Sequence, residues 1–333
     1  MSAPPDPSRI MALSTAFWDA QALLTANRLD LFALLAEEGM SASALAAQLP
    51  ADERALTLLL RALVAMELLT LDDGVYTNTP DTAAFLVPGG PGYLGNAIRY
   101  SDNLYDTWGN LDAAVRDGAP QLATETYTGA DAQVTRDFVY GMHDRALGIG
   151  RVLVEMVDLA DTRQLLDVGG GPGTYSALLA QKYPQLRSQV LELPGVANHA
   201  AEILADMGVA ERVSLLPGDF NTTPFPDGND AVLISGVFHR ELESGCRTLI
   251  AKAAASLKPG GKLIISDVFC NADASGPPFA ALFGLNMLLT AEHGGVHADA
   301  DVAAWMAEAG FQMLPNQMFP PPMPHRVVTG VLS

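Results

Sequence analysis

Cysteine is nearly absent: Cys246 and Cys270 are the only two. They exclude a disulfide framework and lack the paired spacing of a thiolate metal site. A reduced, cytoplasmic setting is the expectation. Basic residues are also scarce, 19 against 38 acidic, for a formal net charge of −19. That balance argues against duplex DNA, RNA backbone and anionic membrane as partners. Charged residues of both signs reach only 17%, while hydrophobic residues make up 49%. The composition is that of an apolar chain with an acidic surface. Long hydrophobic runs are missing too: the most apolar stretch, 55–71, carries Arg61 and Glu67 and is short for a bilayer span. The opening MSAPPDPSRI lacks a basic-then-apolar secretion pattern. No HExxH pattern occurs among the six histidines. His293 and His297 enclose Gly294-Gly295, which argues against two ligands on one helical face, so no metal is expected.

What is present suggests two domains in 333 residues. Residues 8–70 read as helices, with Ile10, Leu13, Phe17, Ala20 and Leu24 at helical spacing. Ser41 caps one short helix, and Asp52-Glu53 open the next. LTLDDGVYTNT then reads as a hairpin turning at Asp73-Gly74. This is a winged-helix outline, but without a basic recognition helix it reads as a structural or dimerisation domain. Residues 80–120 look like connecting structure, and a long helix is expected over about 131–158. The expected boundary puts residues 1–120 in the N-terminal domain and 121–333 in the second.

After residue 160 the rhythm changes to alternating strands and helices: QLLDV, SQVLEL, RVSLL, DAVLIS and KLIISDVF are strands. This predicts an α/β fold with a doubly wound, mostly parallel sheet. FQMLPNQMF and HRVVTGVL, split by a Pro-rich turn, predict an antiparallel pair at its edge.

The chemistry is expected at the carboxyl ends of the strands. Asp167-Val168-Gly169-Gly170-Gly171-Pro172-Gly173 joins the first strand to its helix. Glycines there let a ligand approach bare backbone. The spacing is one residue shorter than a dinucleotide GxGxxG, and no GKS or GKT follows. Glu192 ends the second strand, where a carboxylate can accept both ribose hydroxyls. Asp219-Phe220 follows the third strand, an acid and a ring suited to adenine. The set reads as adenosine without a diphosphate.

LLDVGGGPG, VLELP, PGDF, the segment ending in His239, and LKPGGKLIISD together resemble the S-adenosylmethionine-dependent methyltransferases of the O-methyltransferase type. The resemblance spans nearly the whole chain. It implies a Rossmann-like, seven-stranded catalytic domain, a winged-helix-like N-terminal dimerisation domain, a homodimer, and S-adenosylmethionine as cofactor. It implies that Gly169, Gly170 and Gly171 line the cofactor, that Glu192 holds its ribose, and that Asp219 and Phe220 frame its adenine. Ser235 and Met142 stand where the family also touches cofactor, with ordinary packing as the competing role. His239 stands where the family has its general base, and imidazole titrates near working pH. Asp267 is implied as its orienter, and His297 falls where the family has a second acid. Arg240-Glu241 replaces the family's Asp-Trp. Phe138, His143, Asn286 and Met287 are the candidate acceptor contacts, each with packing as the alternative. Phe17 and Trp18 either cross a dimer interface or pack beside it.

The implied reaction is methyl transfer to a small-molecule acceptor, a hydroxyl of an aromatic or polyketide-like metabolite. Two alternatives stay open on the same fold: S- or N-methylation of a small acid or amine, and cofactor binding without net transfer. A winged-helix regulator is the competitor from another class. No nucleic acid or membrane partner is expected.

Overall fold

The computed structural model describes residues 5–90, 92–273 and 275–333. The chain divides into two compact units between Asp102 and Asn103, earlier than the expected boundary at 120. The difference has a local cause. The helices Tyr105–Trp108 and Leu111–Asp117 pack on the helix Pro278–Thr290, and Trp108 Nε1 donates to Asn286 Oδ1 at 3.0 Å. Residues 80–120 are correspondingly not mere connection. Helices form over Pro80–Phe85 and Gly95–Asn103 as well, the first capped by Thr79 with proline in its first turn.

The first unit has the expected helices and hairpin. Ser41 Oγ accepts from Ala44 N, and Asp52 Oδ1 accepts from Ala55 N at 2.8 Å. Three strands, β1 (Met40–Ser41), β2 (Leu69–Asp72) and β3 (Val75–Asn78), pair antiparallel in the order β1-β3-β2. Leu31, Phe32, Leu45, Leu60 and Leu63 are fully buried beneath them. The helix Ser8–Thr15 buries nothing, and Ile10, Met11, Leu13, Phe17 and Trp18 are exposed.

The second unit is built on one sheet. Its strands are β4 (Gln164–Val168), β5 (Arg187–Glu192), β6 (Val213–Pro217), β7 (Asn229–Ser235), β8 (Leu257–Val268), β9 (Phe311–Met313), β10 (Gln317–Met318) and β11 (His325–Leu332). The order is β10-β11-β8-β7-β4-β5-β6, with β9 also on β11. β4 to β8 run parallel, and β11 is antiparallel to β8. The edge pair is therefore present, but its outer member is two short strands rather than one. Pro315 lies between them and has no N–H for the ladder. β4 stands between β5 and β7, so the chain winds away from β4 in both directions. The loops after β4 and β7 flank the resulting crevice. The expected long helix spans Ala132–Met156, its first turn capped by Asp131.

Candidate active site

The loop after β4 is shaped by glycine. Gly169 and Gly171 have φ of 64° and 55°, which L-residues rarely adopt. A Cβ at Gly171 would meet open space, so that backbone is bare to a ligand. Gly170 differs: its Cβ would lie 2.7 Å from Asp167 Cγ and from Val190. Its lack of a side chain permits close packing on the sheet. Glu192 faces the same loop. Gly171 N donates to Glu192 Oε2 at 2.8 Å, and Leu193 N donates to Oε1 at 2.7 Å. Burial raises the pKa of Glu192 above the usual carboxylate range, against the lowering effect of these N–H groups and Arg240. Each carboxylate oxygen still has a lone pair to offer a ligand hydroxyl. Open backbone beside a fixed acceptor pair fits the ribose and amino-acid portions of an adenosyl cofactor.

Phe220 lies against the loop, its ring 3.5 Å from where a Cβ on Gly169 would stand. Lys252 holds the Phe220 carbonyl and donates to Thr223 O at 2.9 Å, a brace the sequence did not disclose. Asp219 Oδ1 accepts from Asn221 N at 2.8 Å. Ser235 is buried at the end of β7. Met142 is half-buried on the long helix. On the same helix, His143 Nδ1 is 2.7 Å from Thr174 Oγ1, at the start of the helix after the glycine loop. His143 is thus engaged through Nδ1 on the cofactor-loop side. Its burial pulls its pKa below the ordinary imidazole value.

Asp167, in the same motif, is fully buried. Ser176 Oγ donates to its Oδ2 at 2.6 Å, while Oδ1 has no hydrogen-bond partner among the described residues. Burial pushes its pKa up to about 7.

After β7 the chain makes a short 3₁₀ turn, Phe238–Arg240. It presents His239 to the end of β8, where Asp267 lies buried. His239 Nδ1 is 2.6 Å from Asp267 Oδ1, and the His239 backbone N–H donates to Oδ2 at 3.3 Å. Val268 N also donates to Oδ1, at 2.7 Å. Burial opposes the Asp267 charge, but the imidazole and these N–H groups outweigh it and hold the carboxyl below its usual range. With Nδ1–H donating to this carboxylate, Nε2 is an acceptor. Nε2 has no protein partner among the described residues, and the His239 side chain is 12% exposed. Phe283 meets the imidazole edge-on at 4.8 Å.

His297 does not join this pair. Its Nε2 is 2.9 Å from Glu241 O and 3.5 Å from Cys246 Sγ, and its ring packs edge-on against Trp305. The two-glycine segment before it is a loop. Of the other candidates, Met287 is buried, and Asn286 Oδ1 is occupied by Trp108. The Phe138 ring lies tilted against Tyr127, their centroids 5.1 Å apart. Two groups near the pair were not expected in these roles. His325, on β11, is opposite Val268, and burial lowers its pKa to about 4. Arg240 reaches back to donate to Tyr127 Oη at 2.8 Å and Thr124 Oγ1 at 3.2 Å.

A glycine loop with a paired carboxylate, at the switch point of a doubly wound sheet, and an imidazole–carboxylate pair beside it define a Rossmann-like, S-adenosylmethionine-dependent methyltransferase. The comparisons narrow the class. The O-methyltransferase domain family matches residues 108–312, and the O-methyltransferase dimerisation domain matches residues 11–88. A 3-hydroxy-5-methyl-1-naphthoate 3-O-methyltransferase from Streptomyces sahachiroi is 33% identical over 332 residues, covering 98% of this chain and 95% of that protein. The tetracenomycin polyketide synthesis 8-O-methyl transferase TcmO from Streptomyces glaucescens is 30% identical, covering 92% and 91%. A solved structure of PigF with SAH, a protein of Serratia, superposes with a TM-score of 0.87 at 27% identity, covering 98% and 100%. The chain belongs to the O-methyltransferase family.

Proposed function

We propose that this enzyme methylates a hydroxyl of a small aromatic or polyketide-like acceptor, with His239 as general base and Asp267 as its orienter. The observation that carries the reading is the 2.6 Å contact between His239 Nδ1 and Asp267 Oδ1, which leaves Nε2 open. The relatives' names support the acceptor class: one acts on a hydroxynaphthoate, the other in tetracenomycin polyketide synthesis.

Gly169, Gly171, Glu192, Asp219 and Phe220 would hold S-adenosylmethionine, with Gly170 keeping the loop packed on the sheet. When bound, the cofactor supplies a methyl group already activated on a sulfonium centre. A phenol is a poor nucleophile until it loses its proton, so the protein's own contribution is deprotonation and alignment. His239 Nε2 accepts the hydroxyl proton, and Asp267 stabilises the imidazolium that results. Phe283 limits the imidazole's tilt from the other side. His297 holds the Glu241 backbone rather than moving protons. The exposed Ile10, Met11, Leu13, Phe17 and Trp18 face supports a homodimer formed through the dimerisation domain.

Two measurements test this reading. Incubation with S-adenosylmethionine and matched phenol, aryl amine and thioether acceptors should yield methyl ether and S-adenosylhomocysteine from the phenols. Product from the amines or thioethers alone contradicts O-methylation. Glu192→Ala should weaken S-adenosylhomocysteine binding by about 10–100-fold in calorimetry. Unaltered affinity would remove Glu192 from the cofactor site.

A further inference from the structure

Arg240 is a half-buried cation with no carboxylate in direct contact among the described residues. The arginines Arg28, Arg136, Arg247 and Arg326 each meet a carboxylate. Among the described residues Arg240 meets none. Its bonds go to two neutral hydroxyls, Tyr127 Oη and Thr124 Oγ1. Those hydroxyls both donate onward to Thr290 O, at 2.6 and 3.3 Å. The end of the helix Pro278–Thr290 is therefore satisfied by the hydroxyls and does not need the guanidinium. The acid whose field Arg240 modifies is Glu192, and both Glu192 oxygens already take backbone N–H groups. A half-buried charge whose nearest acid acts only at a distance and whose direct bonds go to neutral groups is incompletely compensated, so an anionic partner from outside the chain is the physical expectation.

The position says where that partner sits. Arg240 directly follows His239, and the helix whose end Tyr127 meets also supplies Phe283 to the His239 ring. The guanidinium thus lies near the end of that helix, close enough to Glu192 to act on its charge, and one residue along the chain from His239. Its rigid fork of donors matches a carboxylate in geometry as well as charge. We propose that Arg240 anchors a ligand carboxylate beside the reacting hydroxyl. The inference rests on the methyltransferase reading above. Two ligands can bring that group: the amino-acid end of the cofactor, or an acceptor that is a hydroxyaryl carboxylate.

Calorimetry on the full chain separates the two. One probe pair is S-adenosylhomocysteine against methylthioadenosine, which lacks the amino-acid end. The other is a hydroxynaphthoate against its carboxamide, titrated into the S-adenosylhomocysteine complex. Arg240→Gln keeps hydrogen-bond donors but loses the charge. It should weaken one carboxylate-bearing probe about 10–100-fold, with its carboxylate-free counterpart changed less than about threefold. Loss on S-adenosylhomocysteine assigns the cofactor carboxylate, and loss on the hydroxynaphthoate assigns the acceptor's. Arg240→Lys should retain part of the preference, because it keeps the charge without the fork. Parallel losses within both pairs mean a purely structural role and overturn the proposal, as does no loss in either. Because the readout is binding, a failure of phenol methylation would count against the O-methylation reading alone.

Discussion

At the scale of single residues, the account turns on which nitrogen of His239 carries a proton. Asp267 fixes that choice by accepting from Nδ1, and its own charge is protected by the Val268 and His239 N–H groups. Asp267→Asn would present an amide that can donate to Nδ1, forcing the proton onto Nε2. The variant should fold, and kcat should fall roughly 10²–10⁴-fold. A fall in KM performance with kcat intact would show that Asp267 serves binding instead. Asp167 makes a separate prediction. Its folded pKa is about 7 against an ordinary value of 3.8. A raised carboxyl stabilises the fold fully below the unfolded value, and that contribution is lost as pH rises through the folded value. The melting temperature should therefore decline between about pH 4 and pH 7, and Asp167→Asn should flatten that decline. An equal slope in both proteins would remove Asp167 as its source.

At the scale of elements, the strand, glycine loop and helix from Gln164 to Lys182 are one device. Gly169→Ala places a Cβ 2.7 Å from Val237 Cγ2 at a φ of 64°. It should cost about 1–3 kcal/mol of stability, read by denaturant unfolding. A variant as stable as the wild type would mean that the loop relaxes freely. This device was legible in the sequence because each part is local: an apolar run, a cluster of glycines, then a helical pattern. Glu192, Asp219 and His239 were legible for a related reason, since each ends a strand or begins the following turn. The pairing of His239 with Asp267 was implied by the family resemblance, and the two are in contact in the structure. Contacts that close only in three dimensions gave no such signal. Arg240 meets Tyr127 and Thr124 from far along the chain, and His325 reaches Val268 through strand register. His297 shows the reverse error. Its position suggested a partner for the base, but its Nε2 is spent on Glu241 O and Cys246. Helices hidden in residues 80–120 were masked by glycine and proline between them, and the packing of Tyr105–Trp108 and Leu111–Asp117 on Pro278–Thr290 puts residues 103–120 in the second unit.

At the scale of the whole molecule, composition and fold divide the work. The two units separate a three-stranded helical module from the cofactor sheet. Phe17→Asp with Trp18→Asp should shift the protein from dimer to monomer in sedimentation, since both rings are exposed in the single chain. An unchanged dimer would place the interface elsewhere. No helix among the described residues is long and apolar enough to cross a membrane. The net charge of −19 bears on partners rather than on the reaction, and the reaction is where the account is most exposed. Its most direct test is single-turnover methyl transfer to a phenolic acceptor by His239→Ala, with S-adenosylhomocysteine affinity measured on the same preparation. The prediction is a rate reduced about 10²–10⁴-fold with cofactor affinity preserved; a rate within about threefold of the wild type, at equal affinity, would contradict His239 as the base.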